Sequence, residues 1–178
     1  TSHRALDDLA QAQATSSAEL STLLGRQRAL SDVHAKLYRT MTIIGSMDDK
    51  ATQAVRSEQS RALAALAAQF ESTAAKLPAE APDRAALGKL AAWVKKYDKA
   101  ADSAVDLATV DPNTGVAAMQ GADADYQAMN KAMSELQAAG TERNVKLVDA
   151  LQGSAAQASL LVVLFGVGTP EATAAGVV

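Results

Sequence analysis

Four alanine-rich stretches, each with apolar residues recurring every three or four positions, are parted by three breaks rich in glycine, proline and aspartate. That pattern constrains the chain more than any other feature, because it leaves room for helices and little else. The first stretch sets Leu20, Leu23, Leu30, His34, Leu37, Met41 and Ile44 on one stripe. It ends at "GSMDDK", where Gly45 interrupts the pattern and Asp48 or Asp49 can cap a following helix. The second aligns Val55, Ala62, Leu66, Phe70 and Leu77 and stops at "LPAEAPDR", whose Pro82 suits the first position of a helix. The third carries Leu87, Leu90, Val94, Tyr97, Ala101 and Val105. A Pro112-to-Gly115 turn then precedes a fourth, running from Val116 through Met119, Ala122, Tyr126, Met129, Met133 and Leu136 to Leu147 and Leu151, with Gly140 as a place to bend.

Only 3% of the 178 residues are aromatic although 48% are hydrophobic, so the core must come from close contacts between small-residue helices. The reading is an all-α, antiparallel up-down-up-down four-helix bundle with crossings near 20°. Its net charge of −3 supplies no basic footprint for nucleic acid. With no cysteine there is no disulfide framework, zinc–thiolate site or thiol nucleophile, and compartment is left open. No Gly-rich phosphate loop, HExxH or nucleophile elbow occurs, so the chain is read as a non-enzyme without a cofactor. Metal binding is read as absent too: His3 and His34 would stand roughly 47 Å apart on one continuous helix.

The N-terminus, "TSHRALDDLAQAQ", lacks the apolar run of a signal peptide. At the other end, "SLLVVLFGVGTPEATAAGVV" begins strongly apolar, but Pro170 and Glu171 interrupt it about halfway along the roughly 20 residues of a spanning helix. Residues 1–158 therefore read as a helical domain. Residues 159–178 read as the mouth of a membrane segment, with a buried terminal helix as the alternative. At 1.5 Å per residue the first and last helices would reach about 68 and 75 Å, against about 43 Å for the middle pair. With short connections, the surplus before about Thr15 and after about Arg143 projects from one end of the bundle. Helices extended side by side toward lipid are what a sensor standing on two transmembrane helices requires.

The stretches "VHAKLYRTM" and "KYDKAADSAVDLATVDPNTGVAAMQGADADYQAM", with the four-helix layout, resemble the four-helix-bundle extracytoplasmic sensor domain of bacterial methyl-accepting chemotaxis proteins, a module also found on sensor histidine kinases. The resemblance spans most of Leu30 to Met133. It implies a periplasmic domain held at the inner membrane, a homodimer formed chiefly by the first helix, and a small-molecule ligand. The apolar fringe of Ala29, Ala35 and Ile43 is consistent with such a dimer. Alternation of helix direction puts the Pro112-to-Gly115 turn at the membrane-distal end, beside the first break.

Within that frame the candidate ligand-binding residues are His34, Tyr38, Arg39, Tyr97, Met119 and Tyr126. His34 and Tyr38 lie one turn apart and could both donate to a carboxylate, though a core histidine paired by a neighbouring helix would occupy the same place. Arg39 offers a planar fork for a carboxylate but points about 200° from Leu37, toward solvent or a second subunit. Arg56 and Arg61 are weaker alternatives. Tyr97 and Tyr126 sit on core stripes with hydroxyls that need partners, and Met119 and Met129 suit a soft apolar wall or plain packing. Trp93, Lys95 and Lys96 read as a partly exposed, solvated face. The resemblance and these residues together predict a chemoreceptor domain that binds a small organic acid and signals by relative helix displacement. A histidine-kinase sensor and a structural adaptor without a ligand are the alternatives, polar interruptions at Gln27, His34 and Asn144 favouring a sensor over the adaptor.

Overall fold

The computed structural model describes the backbone of residues 2–166 and the side chains of residues 4–157. It is all-helical: α1 (Ser2–Ile43), a 3₁₀ turn (Ile44–Ser46), α2 (Asp49–Ala75), α3 (Pro82–Val110) and α4 (Pro112–Gly166), with no strand among the described residues. No described helix is long and apolar enough to cross a membrane. The apolar run expected to begin a membrane segment, Ser159 to Val178, lies outside the residues whose side chains are described.

Each break has a local cause. After Gly45 in the 3₁₀ turn, Met47 is extended, and the Asp48 carboxylate accepts the backbone N–H of Ala51 at 2.7 Å, the N-cap expected for α2. Such a cap is worth about 1 kcal/mol. Pro82 opens α3, as its missing N–H and fixed φ favour. Arg84 reaches back to donate to the carbonyl of Leu77 at 2.8 Å, covering the chain just past α2.

The third break departs from the sequence reading. Pro112 to Gly115 are not a turn but the first turn of α4, and the break narrows to the single extended residue Asp111. Its carboxylate accepts the N–H groups of Asn113 and Thr114 and the Thr114 hydroxyl, so Asp-Pro acts as an N-cap followed by a helix-starting proline. Gly115 is there for space: a Cβ on it would stand 2.3 Å from the Cβ of Ala108 and 2.8 Å from the carbonyl oxygen of Ala104.

The described chain forms two compact units, one from the parts up to Glu19 and from Gly140 on, the other spanning Leu20–Ala139. α1 and α4 contribute to both. The second unit holds the core: Leu30, Leu37, Met41, Leu63, Phe70, Leu90, Val94, Tyr97, Met119, Met129 and Met133 are almost wholly buried. On α2 the face is rotated from the expected one, with Ala62 exposed while Leu63 and Ala67 are buried. The cause is that Thr52 and Gln59, polar and so left off the apolar stripe, are themselves buried at seven-residue spacing ahead of Leu66.

Side-chain pairs fix the register between helices of this unit. α2 meets α3 through Arg56 with Asp102 and Asp106, Ser60 with Asp98, and Glu71 with Lys95. α1 meets α2 through Arg26 with Thr73 and Lys36 with Glu58, and meets α4 through Gln27 with Gln137 and Tyr38 with Asp123. In each pairing the partner's number falls as the first number rises.

Candidate functional site

One polar cluster sits inside the second unit, built by the i, i+4 spacing of His34 and Tyr38 on α1, by Tyr97 on α3, and by Asp123 and Tyr126 one turn apart on α4. His34 Nδ1 lies 2.6 Å from the Tyr97 hydroxyl, and its Nε2 lies 3.5 Å from Asp123 Oδ1. The Tyr38 hydroxyl donates to Asp123 Oδ2 at 2.7 Å. The imidazole stacks on Tyr126 with centroids 3.7 Å apart and planes 2° from parallel, while Tyr38 meets it edge-on at 5.2 Å. Burial lowers the His34 pKa from its ordinary 6.5, against a weaker pull upward from the Asp123 charge. Burial, the hydrogen bond to Asp123 and its charge push Tyr38 up to about 12, and burial pushes Tyr97 higher still.

Four of the six candidate residues, His34, Tyr38, Tyr97 and Tyr126, are thus brought together. Met119 is fully buried as core. Arg39, proposed as the charge partner of a carboxylate, is exposed, and the charged group against the cluster is instead the carboxylate of Asp123. Arg56 and Arg61 are not in the cluster either. Arg56 grips Asp102 through two hydrogen bonds, and Arg61 donates to the carbonyl of Ser57. Sequence reasoning missed Asp123, whose signal was its place three residues before Tyr126 in "DADYQ".

Beside the cluster, α1 and α4 border an open groove of about 340 Å³ lined by Leu24, Gln27, Arg28, Ser31, Tyr126 and Asn130. Its chemistry is donor-rich, and no carboxylate lines it. Gln27 accepts from Gln137 through Oε1, and its own amide N–H groups donate to no partner among the described residues. Arg28 is exposed and makes no ion pair among the described residues. Ser31, Asn130 and the Tyr126 hydroxyl add further donors. A single anionic oxygen pair could therefore take two bonds from Arg28 and more from its neighbours, over an aromatic ring. A second cavity, of about 10 Å³ between Arg56, Gln59, Ser60, Asp98 and Asp102, has room for one water and nothing larger. Among the described residues no group of three or more His, Cys, Asp or Glu side chains is placed to hold a metal ion.

The three polar interruptions singled out in the sequence each find a partner: Gln27 bonds Gln137, His34 bonds Tyr97, and Asn144 bonds Ser17 at 3.2 Å. Comparison with protein-family models, with curated proteins and with solved structures finds no match for this chain.

Proposed function

We propose that this chain is the ligand-sensing domain of a transmembrane chemoreceptor, a periplasmic up-down-up-down bundle at the inner membrane that binds a small organic acid. The falling partner numbers along α1–α2, α2–α3 and α1–α4 support the alternation of direction. The donor-lined groove between α1 and α4 carries the functional reading: it offers an unpaired guanidinium and several amide and hydroxyl donors with no carboxylate of its own. An acid bound there touches the two helices whose relative displacement passes the signal toward the membrane.

α1 and α4 are joined by the amide bond of Gln27–Gln137, the hydroxyl bond of Ser17–Asn144 and the bond from the Tyr38 hydroxyl to the Asp123 carboxylate. The first two are neutral bonds worth about 0.5–1.5 kcal/mol each, and the third, to a charged acceptor, about 1.5–3 kcal/mol. Two copies meet along the exposed Ala29, Ala35 and Ile43 of α1. No catalytic role is assigned. A thermal-shift screen of organic acids, followed by calorimetry, tests the reading: at least one acid raises apparent stability, and Arg28→Ala weakens it about ten- to a hundredfold, the effect of losing a charge-assisted bond. A panel in which no acid shifts the melting transition leaves the structural adaptor as the better account.

A further inference from the structure

The neutral state of His34 can be read from its surroundings. A lone pair on Nε2 would face the Asp123 carboxylate, so the favoured tautomer carries its hydrogen on Nε2 and accepts from the Tyr97 hydroxyl at Nδ1. Asp123 is used unevenly. Its Oδ2 takes the Tyr38 hydroxyl, while its buried Oδ1 has no hydrogen-bond partner, the His34 Nε2 standing off at 3.5 Å. An unpartnered buried carboxylate oxygen beside an ionisable ring is a poised arrangement, since buried polar atoms are normally satisfied.

We propose that His34 is a proton-operated switch that rearranges the contacts joining α1, α3 and α4. A proton taken from solvent onto Nδ1 makes both ring nitrogens donors. The Tyr97 oxygen then has to accept where it had donated, and its hydroxyl hydrogen turns away from the ring. At the other nitrogen, the new charge draws Asp123 Oδ1 from 3.5 Å to the 2.7–2.9 Å of a charge-assisted bond, a shortening of about 0.7 Å in this contact between α1 and α4 side chains. The imidazolium also gains the face of Tyr126, on which it is already stacked. Since Tyr126 lines the groove as well, the change reaches the groove wall.

The groups that face His34 are Tyr38 from α1, Tyr97 from α3, and Asp123 and Tyr126 from α4. Charges on the helices of this unit are paired with one another: Glu58 of α2 with Lys36, Glu71 with Lys95, Arg56 with Asp102 and Asp106, and Lys96 with Asp125. Asp123 is therefore the charge that acts on the ring, against the lowering effect of burial. The switch stands on this geometry whether or not an acid binds in the groove.

With only His3 and His34 in the chain, imidazole signals in a nitrogen-15 NMR titration of the full protein are readily told apart. The expected result has three parts. His34 titrates below 6.5, its neutral form carries the hydrogen on Nε2, and the ring signals of Tyr97 and Tyr126 shift with the same midpoint. In Asp123→Asn, which keeps the side chain's shape, the His34 midpoint falls further. Wild-type protein in which His34 stays neutral until the chain unfolds, or in which the tyrosine signals ignore its titration, overturns the proposal. So does an unchanged midpoint in a folded Asp123→Asn.

Discussion

A Cβ added to Gly115 in the first turn of α4 would sit 2.3 Å from the Cβ of Ala108 near the end of α3, closer than two side-chain carbons can approach. The two helices are pressed together just where a single extended residue, Asp111, connects them. Gly115→Ala must push them apart, and overpacking of this kind destabilises by roughly 1–3 kcal/mol. Gly88→Ala and Gly121→Ala meet nothing within 4 Å and lie in helices, so they should stabilise by up to about 1 kcal/mol. Urea melts of the three variants check the opposite signs.

Phe70 is fully buried on α2, with the Arg26 guanidinium 5.4 Å from its ring centroid. Phe70→Ala should lose about 3–5 kcal/mol, the usual range for deleting a buried aromatic ring. Leu24, 45% exposed at the groove, should lose under about 0.5 kcal/mol when cut to alanine. Denaturant midpoints separate the two.

Arg56 binds Asp102 through Nε at 2.7 Å and Nη2 at 2.8 Å and reaches Asp106 through Nη1. Solvent reaches both carboxylates, so the pair contributes only about 0.5–1 kcal/mol, and less at high salt. Arg56→Lys should lose most of that, because an ammonium cannot reproduce the two-pronged bond. A double-mutant cycle with Asp102→Asn measures the coupling.

Stability should fall on mild acidification. The folded pKa of His34 is depressed, so its contribution is complete above 6.5 and is lost as pH drops from 6.5 through the lower folded value, where the unfolded chain binds the proton first. Asp102, held below 3.8 chiefly by its hydrogen bond to Arg56, adds a second loss only as pH falls beneath 3.8. Urea midpoints at pH 7.5 and 5.5 should differ in wild type and converge in His34→Gln.

The helices were legible because their signals are local and periodic: the expected stripe of α3, from Leu87 to Val105, is buried at every position. The cap at Asp48 and the proline start of α3 were equally local. Pro112 to Gly115 was misread because proline and glycine mark turns in general, while the need for Gly115 comes from Ala108, seven residues back on another helix. Ala62 was misplaced because Thr52 and Gln59, polar yet buried, belong to the inner face of α2. His34, Tyr38, Tyr97 and Tyr126 could be picked out as polar tips on apolar stripes. Asp123, Arg28 and Asn130 could not, since an acidic or polar residue on an alanine-rich helix reads as solvated surface until the opposite helix is in place.

On the proposed function, acid binding and the relative position of α1 and α4 are coupled, so each must change the other by the same factor. The chain has no cysteine, and Ser17 and Asn144 face each other across the two helices within a hydrogen bond. Replacing both with cysteine and joining them with a short bis-thiol cross-linker fixes that position. The measurement is calorimetric affinity for an acid that stabilises the protein, taken before and after cross-linking. Cross-linking is expected to change the affinity about tenfold, or roughly 1.4 kcal/mol of coupling. Equal affinity in the free and cross-linked protein would mean that binding does not distinguish the two arrangements, and relative motion of α1 and α4 would not be the signal.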